Sequence, residues 1–206
     1  MKQADEYTSS CELILIEPAI FTSFLFITDE AVESDIKYFK LRLTTTLSKN
    51  IMLWSLLLFQ KPIYTRLFRG RMPNTVICGA PMSGKTTVLR DLCRLISDEE
   101  HKKITVIDER CEMSGYDLGI NTDVLKNYPK AQGIGIAVRT LSPDVVICDE
   151  IGSVKEAEEL CTLVNCGVKF IVTMHCSELY ELKRRPQFNL LSEAGATEAC
   201  VFLNKK

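Results

Sequence analysis

No two cysteines in this chain stand at CxxC spacing, and the total of nine is odd. A fully paired disulfide scaffold is excluded, and so is the close paired-ligand spacing of structural zinc sites. The thiols sit inside apolar runs such as TVICGA and VVICDE, so buried, reduced cysteines are expected. Cys161, Cys166, His175 and Cys176 lie near one another in the chain without metal-site spacing. Long hydrophobic runs are also missing. AIFTSFLFI and IMLWSLLLF reach nine residues each, about half of what crosses a bilayer, and read as core or docking segments. The opening MKQADEYTSS carries acidic residues where a secretory signal needs basic ones, so a cytoplasmic protein is expected. There is no basic excess either: a net charge of −2 and an isoelectric point near 5.8 speak against a nucleic-acid coat, and no nucleic-acid partner is expected. Internal repeats, low-complexity tracts and the guanine-reading NKxD pattern do not occur.

Ordinary globular composition remains, with 46% hydrophobic and 25% charged residues. A length of 206 residues accommodates one full domain with an appendage. RLFRGRMPN, residues 66–74, places Gly70 and Pro73 among three arginines and reads as a linker. It divides a small N-terminal region, residues 1–69, from a larger unit, residues 70–206. In the first region TDEAVESD has helix-start character at Thr28 and Glu30, while IKYFKLRLTTTL alternates like a strand. An α+β character follows for that region.

The second region is more regular. TVICG reads as a strand, GKTTVLRDLCRLIS places Val88, Leu89, Leu92, Leu95 and Ile96 on one helical face, and KITVIDE returns to strand character. CEMSGYDLGINTDVLKNYPK is polar and turn-rich, and AQGIGIAVRTL is helical in pattern despite two glycines. DVVICDE and KFIVTMH are buried strands, VKEAEELCTLVNCG an amphipathic helix ending at Gly167, ELYELKRRP a helix stopped before Pro186, and EACVFLN a last strand. Strands alternating with helices imply an α/β fold with a mainly parallel sheet covered on both faces.

Gly79-Ala80-Pro81-Met82-Ser83-Gly84-Lys85-Thr86 satisfies GxxxxGK[ST] without mismatch, between a strand and a helix. Four residues between the glycines let the loop wrap a phosphate with its N–H groups inward, and Gly84 opens a helix whose positive end faces the anion. Lys85 is expected on the β- and γ-phosphates and the Thr86 hydroxyl on Mg²⁺, with Thr87 completing the nucleotide-binding run. DVVICDE ends in Asp149 and Glu150, placing one carboxylate near the metal and a second where it can activate a water. VIDER supplies Asp108, Glu109 and Arg110: acids for the water or metal shell and an arginine for phosphate charge. His175 and Thr173, at the end of KFIVTMH, are candidates for sensing the γ-phosphate. Arg139, Arg184 and Arg185 are candidate phosphate or neighbour-subunit contacts.

Taken together, GAPMSGKTTVLRDLCRLIS, VIDERCEMSG, TDVLKNYPKAQGIGIAVRTLSPDVVICDEIG, AEELCTLVNCGVKFIVTMHCSELYELKRRP and the closing VFL resemble the stage III sporulation protein AA family. Those ATPases of endospore-forming bacteria are in turn similar to type II and type IV secretion ATPases. The resemblance spans roughly residues 74–203 and implies a RecA-like P-loop NTPase core there, preceded by the small α+β region. It makes TMH the counterpart of a His box, VIDER that of an Asp box with Glu109 as a water activator, and Arg139 the arginine before Walker B. It implies ATP with Mg²⁺ as cofactor, a homo-hexamer, and docking to membrane proteins of a sporulation channel at the cytoplasmic face. The loop after EMSGYDLGI is shorter than the family pattern, and Asn121 stands where an arginine is expected. The reading is therefore an ATPase; a nucleotide-binding scaffold with little turnover and a small nucleotide kinase stay open as alternatives.

Overall fold

The computed structural model describes residues 24–33, 36–44 and 72–204. Among these residues one sheet of eight strands forms, in the order β1-β2-β8-β3-β7-β6-β4-β5. The strands are β1 Phe24–Glu33, β2 Ile36–Thr44, β3 Thr75–Gly79, β4 Ile104–Asp108, β5 Thr122–Lys126, β6 Val145–Cys148, β7 Lys169–His175 and β8 Ala199–Asn204. The helices are α1 Lys85–Glu99, α2 Lys130–Ile136, α3 Val154–Asn165, α4 Leu179–Leu182 and α5 Pro186–Glu193, with α2 continuing into a π-helical turn, Ala137–Leu141. Only β1 runs antiparallel to its neighbour; every other pairing is parallel. The mainly parallel α/β sheet expected from the alternating pattern is the one present.

Parallel strands buried on both faces explain the continuous apolar runs. In β3, Val76 and Cys78 enter one core and Ile77 the other. The α1 face of Val88, Leu89, Leu92, Leu95 and Ile96 packs on one side of the sheet, against Ile104, Val106, Ile147 and Ile171. On the other side α3 and α5 bring Ala157, Leu160, Leu163, Phe188 and Leu191 against Val146, Phe170 and Val172. Among the described cysteines, Cys78, Cys93, Cys148, Cys176 and Cys200 are buried thiols without disulfide partners, whereas Cys111 and Cys166 are exposed.

Three local readings change. The helix start at Thr28 and Glu30 lies instead within β1, paired along its length with β2; the register shifts between Ile27 and Asp29, so Thr28 is the extra residue of a bulge. Cross-strand pairing there outweighs the acidic segment's helical cues. β5 emerges inside the polar stretch, as an edge strand with only Val124 and Leu125 apolar and a complete parallel register on β4. The segment ELYELKRRP forms only the single turn α4, and Pro186 begins a new helix, where its missing N–H costs nothing. Gly133 lies in α2 because a Cβ there would meet Ile107 Cγ2 at 2.6 Å; the helix needs that close approach to β4. IMLWSLLLF and most of the 66–74 linker lie outside the described residues.

The parallel pairing carries the ends of β3, β4, β6 and β7 to one edge of the sheet. Ligands of open α/β sheets bind in the crevice outside such carboxyl ends.

Candidate nucleotide site

Backbone geometry shapes the loop after β3. Gly84 adopts φ 92°, a left-handed conformation open to glycine and strained for other residues, and it turns the chain into α1. No side chain caps this helix, no acid lies in its first turn, and the Val88 N–H to Gly84 carbonyl bond starts its ladder. The N–H groups of Lys85, Thr86 and Thr87 therefore face outward at the positive end of the macrodipole. Behind them the Ser83 hydroxyl is buried without a hydrogen-bond partner, and a Cβ on Gly79 would meet it at 2.3 Å. The open donors and the close Gly79–Ser83 approach fit a phosphate cradle. Pro81 and Met82 form its exposed tip, with Met82 at φ 61° and Ala80 closing the turn by accepting from the Ser83 N–H at 3.2 Å.

Lys85 is buried. Its Nζ donates to the carbonyls of Gly79 and Ala80, both at 2.9 Å, and lies 3.1 Å from His175 Nδ1. Burial pushes its pKa below the usual lysine value, with Asp149 and Glu150 pulling the other way. Since an ammonium only donates, Nδ1 accepts and the histidine proton sits on Nε2. Nε2 lies 3.4 Å from Glu150 Oε1.

Asp149 and Glu150 follow β6 as expected, and β7 places Thr173 and His175 beside them. The Thr86 hydroxyl donates to Asp149 Oδ2 at 2.8 Å and the Thr173 hydroxyl to Asp149 Oδ1 at 2.6 Å. Because each hydroxyl proton goes to the carboxylate, the Thr86 lone pairs and the remaining Asp149 lone pairs stay available to a hard cation, and the donor set suits Mg²⁺. Thr173 Oγ1 also accepts the Glu150 N–H at 2.8 Å. Glu150 sits at φ 49°, a left-handed conformation uncommon for a side-chain-bearing residue, and its neighbour's N–H is held by the Thr173 carbonyl at 2.8 Å. Thr173 is a brace for both acids.

After β4 the three polar residues of VIDER separate in role. Asp108 is buried and accepts the N–H groups of Glu112, Met113 and Ser114 at 2.9, 3.1 and 2.8 Å, so its carboxylate knots the loop. Arg110 pairs with Glu150 Oε2 at 2.8 Å. Glu109 pairs with Lys130 at 3.3 Å. Glu109, Arg110, Lys130, Asp149 and Glu150 line one cleft beside the loop.

Lys130 is the site residue that the sequence reading does not single out. It is buried in the first turn of α2, where a cation opposes the helix dipole, and that misfit was the available signal. Arg139 is not brought to this cluster: it is exposed on the π-helical turn and lies against Gly135. Arg185 donates to the His175 carbonyl at 2.8 Å and Arg184 to the Tyr180 hydroxyl at 3.1 Å, so Arg185 supports the histidine from behind. Asn121 joins the β5 end to the core, taking the Ser97 hydroxyl oxygen at its N–H and the Ile104 N–H at its carbonyl.

A family model described as sporulation stage III, protein AA, matches residues 60–206 and so includes every residue of this cluster. The chain belongs to that family. Stage III sporulation protein AA of Bacillus subtilis (strain 168) is 35% identical over 156 residues, covering 70% of this chain and 51% of its own length. Protein ycf45 of Cyanidium caldarium, an uncharacterised protein, is 28% identical over 122 residues, 55% of this chain and 36% of its own. The chain thus spans about half the length, or less, of these curated relatives. Among solved structures it is similar to the Legionella pneumophila ATPase DotB, with a TM-score of 0.49, 18% identity, and coverage of 84% of this chain and 49% of that one.

Proposed function

We propose that this member of the stage III sporulation AA family is an Mg²⁺-dependent ATPase. We further propose that it works as a homo-hexamer docked to membrane proteins of a channel complex during endospore formation, with residues 70–206 as the ATPase unit. The observation that supports hydrolysis best is the meeting of Thr86 with Asp149 at 2.8 Å, 63 positions apart in the chain, at the open end of α1 beside Lys85. Each residue then has one task. The loop from Gly79 to Thr87 wraps the phosphates with its N–H groups, and Lys85 exchanges its contact to His175 for phosphate oxygen. Thr86 and Asp149 hold the Mg²⁺, which supplies charge neutralisation at the transferred phosphoryl group. Glu150 orients and deprotonates the water, Glu109 adds a second carboxylate at the cleft, and His175 reports on the phosphate. No helix among the described residues is long and apolar enough to cross a membrane, which agrees with peripheral docking.

One observation favours a nucleotide-binding scaffold as the second reading: both Glu150 oxygens already face cationic or donor groups, Arg110 and His175. Radiolabelled γ-phosphate ATP, incubated with Mg²⁺ and resolved by thin-layer chromatography with and without nucleoside acceptors, separates the enzyme classes. Free labelled phosphate and an unlabelled acceptor are expected. A labelled acceptor would make the chain a nucleotide kinase.

A further inference from the structure

We propose that Arg110 is a positioning residue of inhibitory sign: its guanidinium restrains the Glu150 carboxylate and slows water activation. The inference rests on the reading of Glu150 as the residue that activates water.

The geometry is specific. Arg110 Nη1 lies 2.8 Å from Glu150 Oε2, while the other carboxylate oxygen, Oε1, faces His175 Nε2 at 3.4 Å. The Arg110 contact fixes the plane of the carboxylate and stabilises its negative charge, and both oppose its turning to a water and taking a proton. The Glu150 backbone is fixed at φ 49° with its N–H bonded to Thr173, so rotation of the side chain is what releases the Arg110 contact.

Arg110 in turn hangs from an anchored loop. Asp108 ties three successive N–H groups of that loop. Met113 is fully buried in the core beneath α1. Arg90 of α1 donates to the Glu112 carbonyl and lies over the Tyr116 ring, 3.6 Å from its centroid. The helix that begins at the phosphate loop therefore holds the segment that presents Arg110.

Exposure distinguishes a restraint from a phosphate contact. The Arg110 side chain is 64% exposed and Glu150 32% exposed, so the pair is partly screened. Its strength corresponds to a factor of about two to five, enough to slow a step and weak enough to release. A guanidinium that served the phosphate would have the opposite sign, because removing one positioned donor from a transition state costs a factor of about a hundred to a thousand.

The test is steady-state ATP hydrolysis by wild type, Arg110→Ala and Arg110→Lys at about 50 mM and about 500 mM salt, between which the screening length shortens roughly threefold. The expected result for Arg110→Ala is a kcat about two to five times that of wild type, with KM within about twofold. Salt should raise the wild-type kcat and leave that of the alanine variant unmoved. Arg110→Lys, which keeps the charge without the planar fork, should fall between the two. A tenfold or greater loss of kcat in Arg110→Ala would overturn the restraint, and so would a kcat equal to wild type at both salts. Wild type that releases no phosphate would end the hydrolysis reading by itself. The restraint is then decided in nucleotide-free protein by a double-mutant cycle of Arg110→Ala and Glu150→Gln in urea unfolding. Coupling that disappears at high salt supports it, and strict additivity overturns it.

Discussion

A lysine ammonium taken out of water and surrounded by main-chain carbonyls is a poor choice for stability, and Lys85 is held that way by the loop it belongs to. Its pKa is lowered by burial. The unfolded chain therefore binds this proton more tightly than the folded one. The resulting penalty is full below the folded value and is relieved as pH rises from there toward the unfolded one, about 10.4. Urea unfolding between about pH 7.5 and 10 should show wild type gaining stability relative to Lys85→Met as pH increases; parallel curves would remove the argument. The penalty has a functional reading, since a cation short of water gains most from an arriving phosphate. Glu150 follows the same rule at its backbone: a left-handed conformation costs of order 1 kcal/mol and persists because Thr173 holds it.

Helix α3 carries the wall of the core beneath β6 and β7, and its two ends are specified locally. Ser153 accepts the Glu156 N–H at 3.3 Å, while Glu156 reaches back to the Ser153 N–H at 3.2 Å. At the other end Gly167, at φ 80°, closes a Schellman pair: Gly167 N–H to the Val164 carbonyl at 2.9 Å and Val168 N–H to the Leu163 carbonyl at 3.3 Å. Ser153→Ala should lower stability by about 1 kcal/mol, read from the urea midpoint at unchanged slope, without altering nucleotide affinity. An unchanged midpoint would show that packing of Leu160 and Leu163 alone decides this helix. Elements of this kind were legible in the sequence because pattern, cap and stop signal agree. So were the strands whose apolar runs end in Asp149, Glu150 and His175. What sequence did not disclose depends on partners remote in the chain. β5 is a strand because β4 offers it an edge; Thr28 lies in a bulge because β2 runs alongside. Lys130 reaches the cleft because Gly133 lets α2 settle on Ile107. Arg110, legible only as a charge after β4, finds its partner in Glu150, 40 positions on.

At the scale of the whole molecule, the sheet places four strand ends at one edge, and each contributes to a single connected set of polar contacts. From Arg110 after β4 the connections run through Glu150 after β6 and His175 at the end of β7 to Lys85 after β3. The hairpin of β1 and β2 extends the same sheet, with β2 lying parallel to β8 over Lys37 to Arg42. On the proposed reading, such a set links phosphate at Lys85 to the carboxylate that meets water, an arrangement that reading needs and a passive binder does not. The most direct test is Mg²⁺-dependent phosphate release from ATP by wild type, Lys85→Ala and Glu150→Gln, with ATP binding measured on the same samples. Wild type should release phosphate at least about a hundred times faster than either variant, Glu150→Gln should still bind ATP, and Lys85→Ala should bind it weakly. Equal inactivity of all three, in wild type that binds ATP, would contradict the account and leave a nucleotide-binding scaffold.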